Sequence, residues 1–172
     1  MRNRQLALVA AVLTLSAGSW AATNFANAPQ GAHYRNGFGE PVCSINGLTV
    51  SCTGTQIAGV GNLDADVVLS VSYGATVNCT NHGGKLVPVK TQVTTASSRD
   101  EDTEPRNGTL YVAAVSQSAP PSTQTFLDAA SCPNGNWTKS MPQGSPTVTG
   151  FTYTLTFDGF NSPVILITYS AA

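Results

Sequence analysis

"VVLSVSYGATVNC", residues 67–79, alternates without a slip. Val67, Leu69, Val71, Tyr73, Ala75, Val77 and Cys79 share one parity, while mostly small or polar residues fill the other. Successive side chains of a strand point to opposite faces, so the pattern predicts a strand that is half-buried over its whole course. A slip of one residue would turn every one of those side chains outward, which makes the register tightly specified. Gly74 interrupts the outer parity and marks the place where a bulge or bend is expected.

On the C-terminal side, "TNHGGK" (80–85) supplies a turn and "LVPVKTQVTT" (86–95) returns with Val87, Val89 and Val93 on one parity. The two runs form a predicted hairpin, and Pro88, which has no N–H to donate, puts the returning strand at an edge or leaves it paired on only one side near that point. "SSRDEDTEPRNG" (97–108) reads as a polar loop and "TLYVAAVSQ" (109–117) as a strand. Residues 118–146 are rich in Pro, Ser, Asn and Gly, with one short strand expected at Thr123–Leu127. "TVTGFTYTLTFDGF" (147–160) alternates Phe151, Tyr153, Leu155 and Phe157 with threonines, and "SPVILITYS" (162–170) is a strongly apolar strand. With the hairpin described below, that makes about eight strands and no helical period beyond the N-terminus. The expected fold is all-β, an antiparallel immunoglobulin-like β-sandwich of about eight strands with two disulfides. It departs from true immunoglobulin domains in that Trp137 follows the last cysteine instead of lying between the bridged pair.

The N-terminus carries an export signal. Arg2 and Arg4 precede the apolar run "LALVAAVLTL" (6–15), and small residues follow in "SAGSWAAT" (16–23). Ser19-Trp20-Ala21 is a small-x-small site; Ala26-Asn27-Ala28 fits that pattern better but lies far from the apolar run. Cleavage is therefore expected near Ala21 or Ala22. The run is too short to span a bilayer, which takes about 20 residues, and no cysteine lies nearby for a lipid anchor. The reading divides the chain into a leader (1–22), a mobile N-terminal segment (23–40) and a single sandwich domain (41–172), secreted and without a membrane span once the leader is removed.

Loss of the two leader arginines leaves 6 Lys and Arg against 9 Asp and Glu. Such a chain has no basic face for a phosphate backbone, so nucleic acid is excluded as a partner. Charged residues are only 10% of the sequence, and neutral polar groups take over solvation, as suits an extracellular β-protein.

Cys43, Cys52, Cys79 and Cys132 all lie in the exported part, and an even count in an oxidising compartment reads as two disulfides. Three pairings are possible. In "CSINGLTVSC" (43–52) a two-residue turn at Gly47-Leu48 places Cys43 directly opposite Cys52, and Gly at the first central position suits the positive φ of a type II′ turn. A turn at Asn46-Gly47 would offset the cysteines by two positions. The first register is preferred, which leaves Cys79 for Cys132. The spacings lack the close C-x2-4-C pairs of a zinc site, so no metal and no cofactor is expected.

The stretch "LSVSYGATVNCTNHGGKLVP" (69–88) resembles a feature of small secreted actinobacterial proteins that have an export signal, a C-T-N-x-G-G turn after a long strand, and no assigned function. The resemblance implies a bacterial exported β-protein and brings no catalytic or binding residues with it.

Few residues offer chemistry. The histidines are His33, in the N-terminal segment, and His82, in the glycine turn. "HGG" (82–84) is similar to the oxyanion loop of some esterases, but no G-x-S-x-G accompanies it, so a hairpin-tip residue is the better reading and no catalytic residue is assigned. Asp100, Asp102 and Glu104, with Glu101, could supply oxygens to calcium. Flanked by Arg99 and Arg106, they read better as a solvated loop, as do Asp64 and Asp66. Trp137, in "CPNGNWTKSM" (132–141), would suit sugar stacking if exposed and loop packing beside the bridge if buried; the other aromatics alternate with threonine on strands and read as core. The expectation is a secreted, non-enzymatic sandwich that acts through its surface on an extracellular protein or glycan. A carbohydrate-binding module and an inhibitor of an extracellular enzyme presenting segment 133–144 are the alternatives, ahead of a hydrolase. Self-assembly by strand addition at Pro163–Tyr169 is a further expectation.

Overall fold

The computed structural model of the chain describes residues 19–101, 108–120 and 122–171. Its axis is the alternating stretch, which lies inside a strand of sixteen residues, Ala65–Thr80. In chain order the strands are β1 (Ser19–Thr23), β2 (His33–Tyr34), β3 (Cys43–Asn46), β4 (Thr49–Cys52), β5 (Thr55–Ala58), β6 (Ala65–Thr80), β7 (Leu86–Glu101), β8 (Thr109–Val112), β9 (Val115–Ser118), β10 (Thr138–Ser140), β11 (Thr147–Phe157) and β12 (Ile165–Ser170), with helix α1 (Gln124–Ala129) after β9.

Every odd-numbered side chain of β6 is buried. β6 pairs with β7 along its whole length, from Thr80 opposite Leu86 to Ala65 opposite Glu101. At the hairpin tip Asn81 Oδ1 accepts from the Lys85 N–H at 2.8 Å and Asn81 O from the Gly84 N–H at 3.0 Å. β7 has β6 as its sole sheet neighbour among the described residues, so Pro88 is on an edge strand. The polar run beginning at Ser97, expected to be loop, is strand as far as Glu101, because each of its residues has a partner on β6 between Leu69 and Ala65.

On its other side β6 pairs with β11 and, near Cys79, with β10. β12 and then β1 complete this large sheet. The irregularity expected at Gly74 is on the partner strand: Thr149 of β11 is the extra residue, between the pairs Val148–Tyr73 and Gly150–Ser72. Thr149 Oγ1 donates to Ser72 O at 3.1 Å. Its methyl carbon lies over Gly74, where a Cβ would meet it at 2.6 Å. Gly74 is thus a floor for the bulge.

The second layer consists of two three-stranded sheets, β3-β4-β9 and β2-β5-β8. They are halves of one bent ribbon, because the antiparallel register runs through the break unchanged, with Cys52 opposite Val115 and Thr55 opposite Val112. At the bend Gly54 comes so close to the facing strand that a Cβ would lie 2.5 Å from Val112 O. The stretch expected as one strand at 109–117 is therefore two. Val50, Ile57, Leu110, Val112 and Val115 of the ribbon join Val67, Leu69, Tyr73, Phe151, Tyr153 and Leu155 of the large sheet in one core, which makes the molecule an all-β antiparallel sandwich. Tyr73 Oη donates to Gln117 O at 3.4 Å across the layers.

Two expectations change. Thr123–Leu127 is not a strand: residues 124–129 form α1, which buries Phe126 against β6 and β7 and places Gln124 Nε2 2.6 Å from Asp128 Oδ1, one helical turn on. Six residues are too few to display a helical period. The count of about eight strands becomes twelve, because the short strands β1, β2, β5 and β10 are added, 109–118 is split, and one expected strand is α1.

Residues 23–40, read as mobile, are held to the sandwich. The Asn24 N–H donates to Val164 O at 2.7 Å and Asn27 Nδ2 to Pro163 O at 2.9 Å. Tyr34 Oη and Thr23 Oγ1 share a hydrogen bond at 2.6 Å, and Thr23 Oγ1 donates to Glu40 Oε2. The leader run itself lies outside the described residues, but the expected cleavage near Ala21 or Ala22 falls inside β1, whose Trp20 is 79% exposed. β12 is paired on both sides, by β11 and β1, so it presents no free edge for strand addition while β1 is in place.

Both disulfides form as read. Cys43 faces Cys52 across the β3–β4 hairpin, whose turn is Gly47-Leu48 with Gly47 at φ +58°. Cys79 at the end of β6 joins Cys132 beyond α1. Loop-closure entropy separates the two contributions: about 4 kcal/mol for the long loop and about 3 kcal/mol for the short one. Urea unfolding of the Cys79→Ala/Cys132→Ala and Cys43→Ala/Cys52→Ala double variants should show the larger loss for the first pair.

Candidate functional site

The residues singled out in the sequence do not converge. His82 is exposed at the β6–β7 tip, and exposed His33 places Nδ1 2.8 Å from Gly31 O. Asp64 and Asp66 flank the start of β6, whereas Asp102, Glu104 and the side chain of Asp100 lie outside the described residues. Trp137 is half-buried in the loop between Cys132 and β10, just after a turn in which Asn134 Oδ1 accepts from the Asn136 N–H at 3.1 Å. Among the described residues no group of three His, Cys, Asp or Glu side chains could hold a metal ion.

A different set of side chains is assembled at the β2-β5-β8 end of the ribbon. The Arg35 N–H donates to Gln56 O at 3.0 Å, which extends the β2–β5 pairing by one residue. Gln56 is opposite Tyr111 in the β5–β8 register. Arg35, Gln56 and Tyr111 therefore form one cross-strand row on the face turned away from the core, where neighbouring side chains are about 5 Å apart at Cβ. The row is locked. Arg35 Nη1 donates to Gln56 Oε1 at 2.8 Å and to Tyr111 Oη at 3.1 Å, and its guanidinium carbon stands 6.0 Å from the Tyr111 ring centroid.

Arg35-Asn36-Gly37-Phe38 then forms a turn, with the Phe38 N–H donating to Arg35 O at 2.9 Å. Gly37 takes φ +86°, a conformation that a side chain would strain. The turn carries Phe38 to the Tyr111 side of the row, and the two rings, 42% and 37% exposed, border an open groove of about 390 Å³. Gly54, Gln56 and Ala113 complete its floor and walls. Its rim is anchored at two points beyond Phe38: buried Thr55 donates from Oγ1 to Gly39 O at 2.7 Å, and the Thr23–Glu40 bond ties the next residue to β1. The sequence carries no signal for Phe38, which lies on a turn, and the expectation that strand aromatics are core covers Tyr111. That reading holds for Tyr73, Phe151, Tyr153 and Phe157. It fails for Tyr111, whose parity is opposite to that of buried Leu110 and Val112.

The outer face of the large sheet is a second, plainer surface. Two shallow depressions of about 500 and 380 Å³ meet at Gln92 and Thr149, over the Gly74 and Gly150 gaps. Hydroxyls of Ser70, Ser72, Thr94 and Thr152 dominate it, and Ser72 and Thr94 hydrogen-bond each other at 3.0 Å.

No family model, curated protein or solved structure matches the chain.

Burial raises the hydroxyl pKa of both Tyr34 and Tyr73 above the ordinary 10.0. The bond to Thr23 at Tyr34, and that to Thr95 at Tyr73, partly offset the rise, and Glu40 adds to it at Tyr34. A pKa raised by folding means that the folded state holds the proton longer than the unfolded chain does. This stabilisation is complete below pH 10 and is lost as pH climbs through the raised values. Unfolding free energy measured at increasing alkaline pH should fall from about pH 10, and the fall should be shallower in Tyr34→Phe and Tyr73→Phe.

Proposed function

We propose that this chain is a secreted, non-enzymatic bacterial protein, a β-sandwich with immunoglobulin-like layering that acts by binding an extracellular partner through its surface. The observation that carries the reading is the locked row of Arg35, Gln56 and Tyr111 beside Phe38. Exposed side chains ordinarily gain little by bonding one another, because water serves them as well and holding long side chains still opposes them entropically. A surface cluster fixed in one geometry suits binding, where ordering done in advance lowers the entropic loss of association. Two disulfides fit an oxidising, extracellular setting. Among the described residues no helix is long and apolar enough to cross a membrane.

The reading predicts saturable binding without turnover. The oxidised protein, incubated with bacterial envelope preparations and with insoluble polysaccharides, should be depleted from the supernatant on sedimentation and should release no soluble product. Failure to sediment with any of these materials, or steady release of sugars or peptides, would overturn it.

A further inference from the structure

We propose that the groove between Phe38 and Tyr111 is a glycan-binding site for a neutral chain of pyranose rings with equatorial substituents, of the β-1,4-linked gluco type. The inference rests on the surface-binding function proposed above and assigns its ligand class and its residues.

Such a ring has two apolar C–H faces and a belt of hydroxyls around its edge. It needs flat apolar partners and, beside them, donors and acceptors that reach sideways. The two rings and the Gln56 amide line the groove, and Arg35, bonded to Gln56 and Tyr111, stands beside it. Phe38 and Tyr111 are exposed rings from two separate elements, one on a glycine-containing turn and one on a strand, and aromatic rings offer large rigid contact area for few rotatable bonds.

Arg35 supplies the sideways reach. Both of its bonds within the chain use Nη1 and go to neutral acceptors. Nη2 and Nε make no further bond among the described residues, so the fork keeps donors for a pair of neighbouring hydroxyls. Those two bonds also fix where the fork points, and the Gln56 amide nitrogen adds a donor beside it. A single arginine on a chain of formal charge −1 does not make a site for a polyanion, whose repeated charges need repeated cations. An uncharged polyol is the complement of the groove.

The groove is open rather than closed, and its walls come from β5 and β8 on one side and the turn on the other. A volume of about 390 Å³ is within the usual range of small-ligand sites, roughly 300 to 1,000 Å³. This location differs from Trp137, the tryptophan that the sequence offered for sugar stacking and that is half-buried elsewhere.

The test is calorimetric titration of the oxidised protein with cellohexaose. The wild type should bind, and Phe38→Ala and Arg35→Gln should each weaken binding about tenfold or more, the size expected for loss of an anchor at a small interface. Tyr111→Phe keeps the ring and removes only the hydroxyl that holds Arg35, so it should weaken binding less than Phe38→Ala. All three positions lie at the surface, and unchanged thermal unfolding of the variants would exclude loss of fold as the cause. No binding of cellohexaose by the wild type would overturn the inference, as would binding left unaltered by Phe38→Ala and Arg35→Gln or a preference for polygalacturonate. Cosedimentation with envelope material in the absence of cellohexaose binding would refute this ligand and site alone. Absence of both would refute the surface-binding function itself.

Discussion

Burial of one face of β6 is the constraint on which the rest of the molecule depends. From Ala65 to Cys79 the odd-numbered side chains all point inward, and Val67, Leu69, Val71, Tyr73, Val77 and Cys79 have no exposed surface at all. A strand with period-2 burial over sixteen residues has a single acceptable register. Three neighbours, β7, β11 and β10, take their registers from it, and β12 and β1 follow in turn. The strand also ends in the cysteine that carries the long bridge, so the same alignment that fills the core sets the position of the segment after α1.

The second layer solves a different problem. A ribbon that covers a twisted sheet must bend, and this one bends at Gly54, opposite Ala113, without losing register. The bend divides the ribbon into a half stapled by Cys43–Cys52 and a half that carries the candidate site. β5 and β8 alternate on either side of the core boundary, with Thr55, Ile57, Leu110 and Val112 inward and Gln56 and Tyr111 outward. The site is thus the reverse face of core packing. Its two strand residues are held in place by the neighbours they alternate with, and this keeps the row rigid although it is solvent-exposed.

The two surfaces differ in kind. The outer face of the large sheet is broad, shallow and dominated by hydroxyls, and its glycines serve the packing of Thr149 and the close approach of Tyr169 O. The Arg35 cluster is small and mixed: a cation, an amide and a phenol share one hydrogen-bonded row, and the Phe38 and Tyr111 rings border the groove beside it. A mixture of unlike groups at one place is what gives recognition its direction, whereas a uniform hydroxyl surface is also what any charge-poor extracellular protein needs to remain hydrated.

The sequence by itself determined the features that depend on near neighbours along the chain. The alternation at 67–79 and 147–157 sets the strands and their inward faces. The Asn81–Lys85 turn sets the hairpin, and Gly47-Leu48 sets Cys43 opposite Cys52, which leaves Cys79 for Cys132. α1 stayed hidden because six residues cannot display a period, and the bulge was misplaced because Gly74 answers to Thr149, a residue on another strand. The candidate site was hidden for the same kind of reason. Arg35, Gln56 and Tyr111 are far apart in the chain and become neighbours only through the β2–β5 and β5–β8 pairings. Whether an aromatic on a strand faces core or solvent depends on which parity the opposing layer covers, and that is decided by the packing of one layer on the other, not by the alternation within either strand.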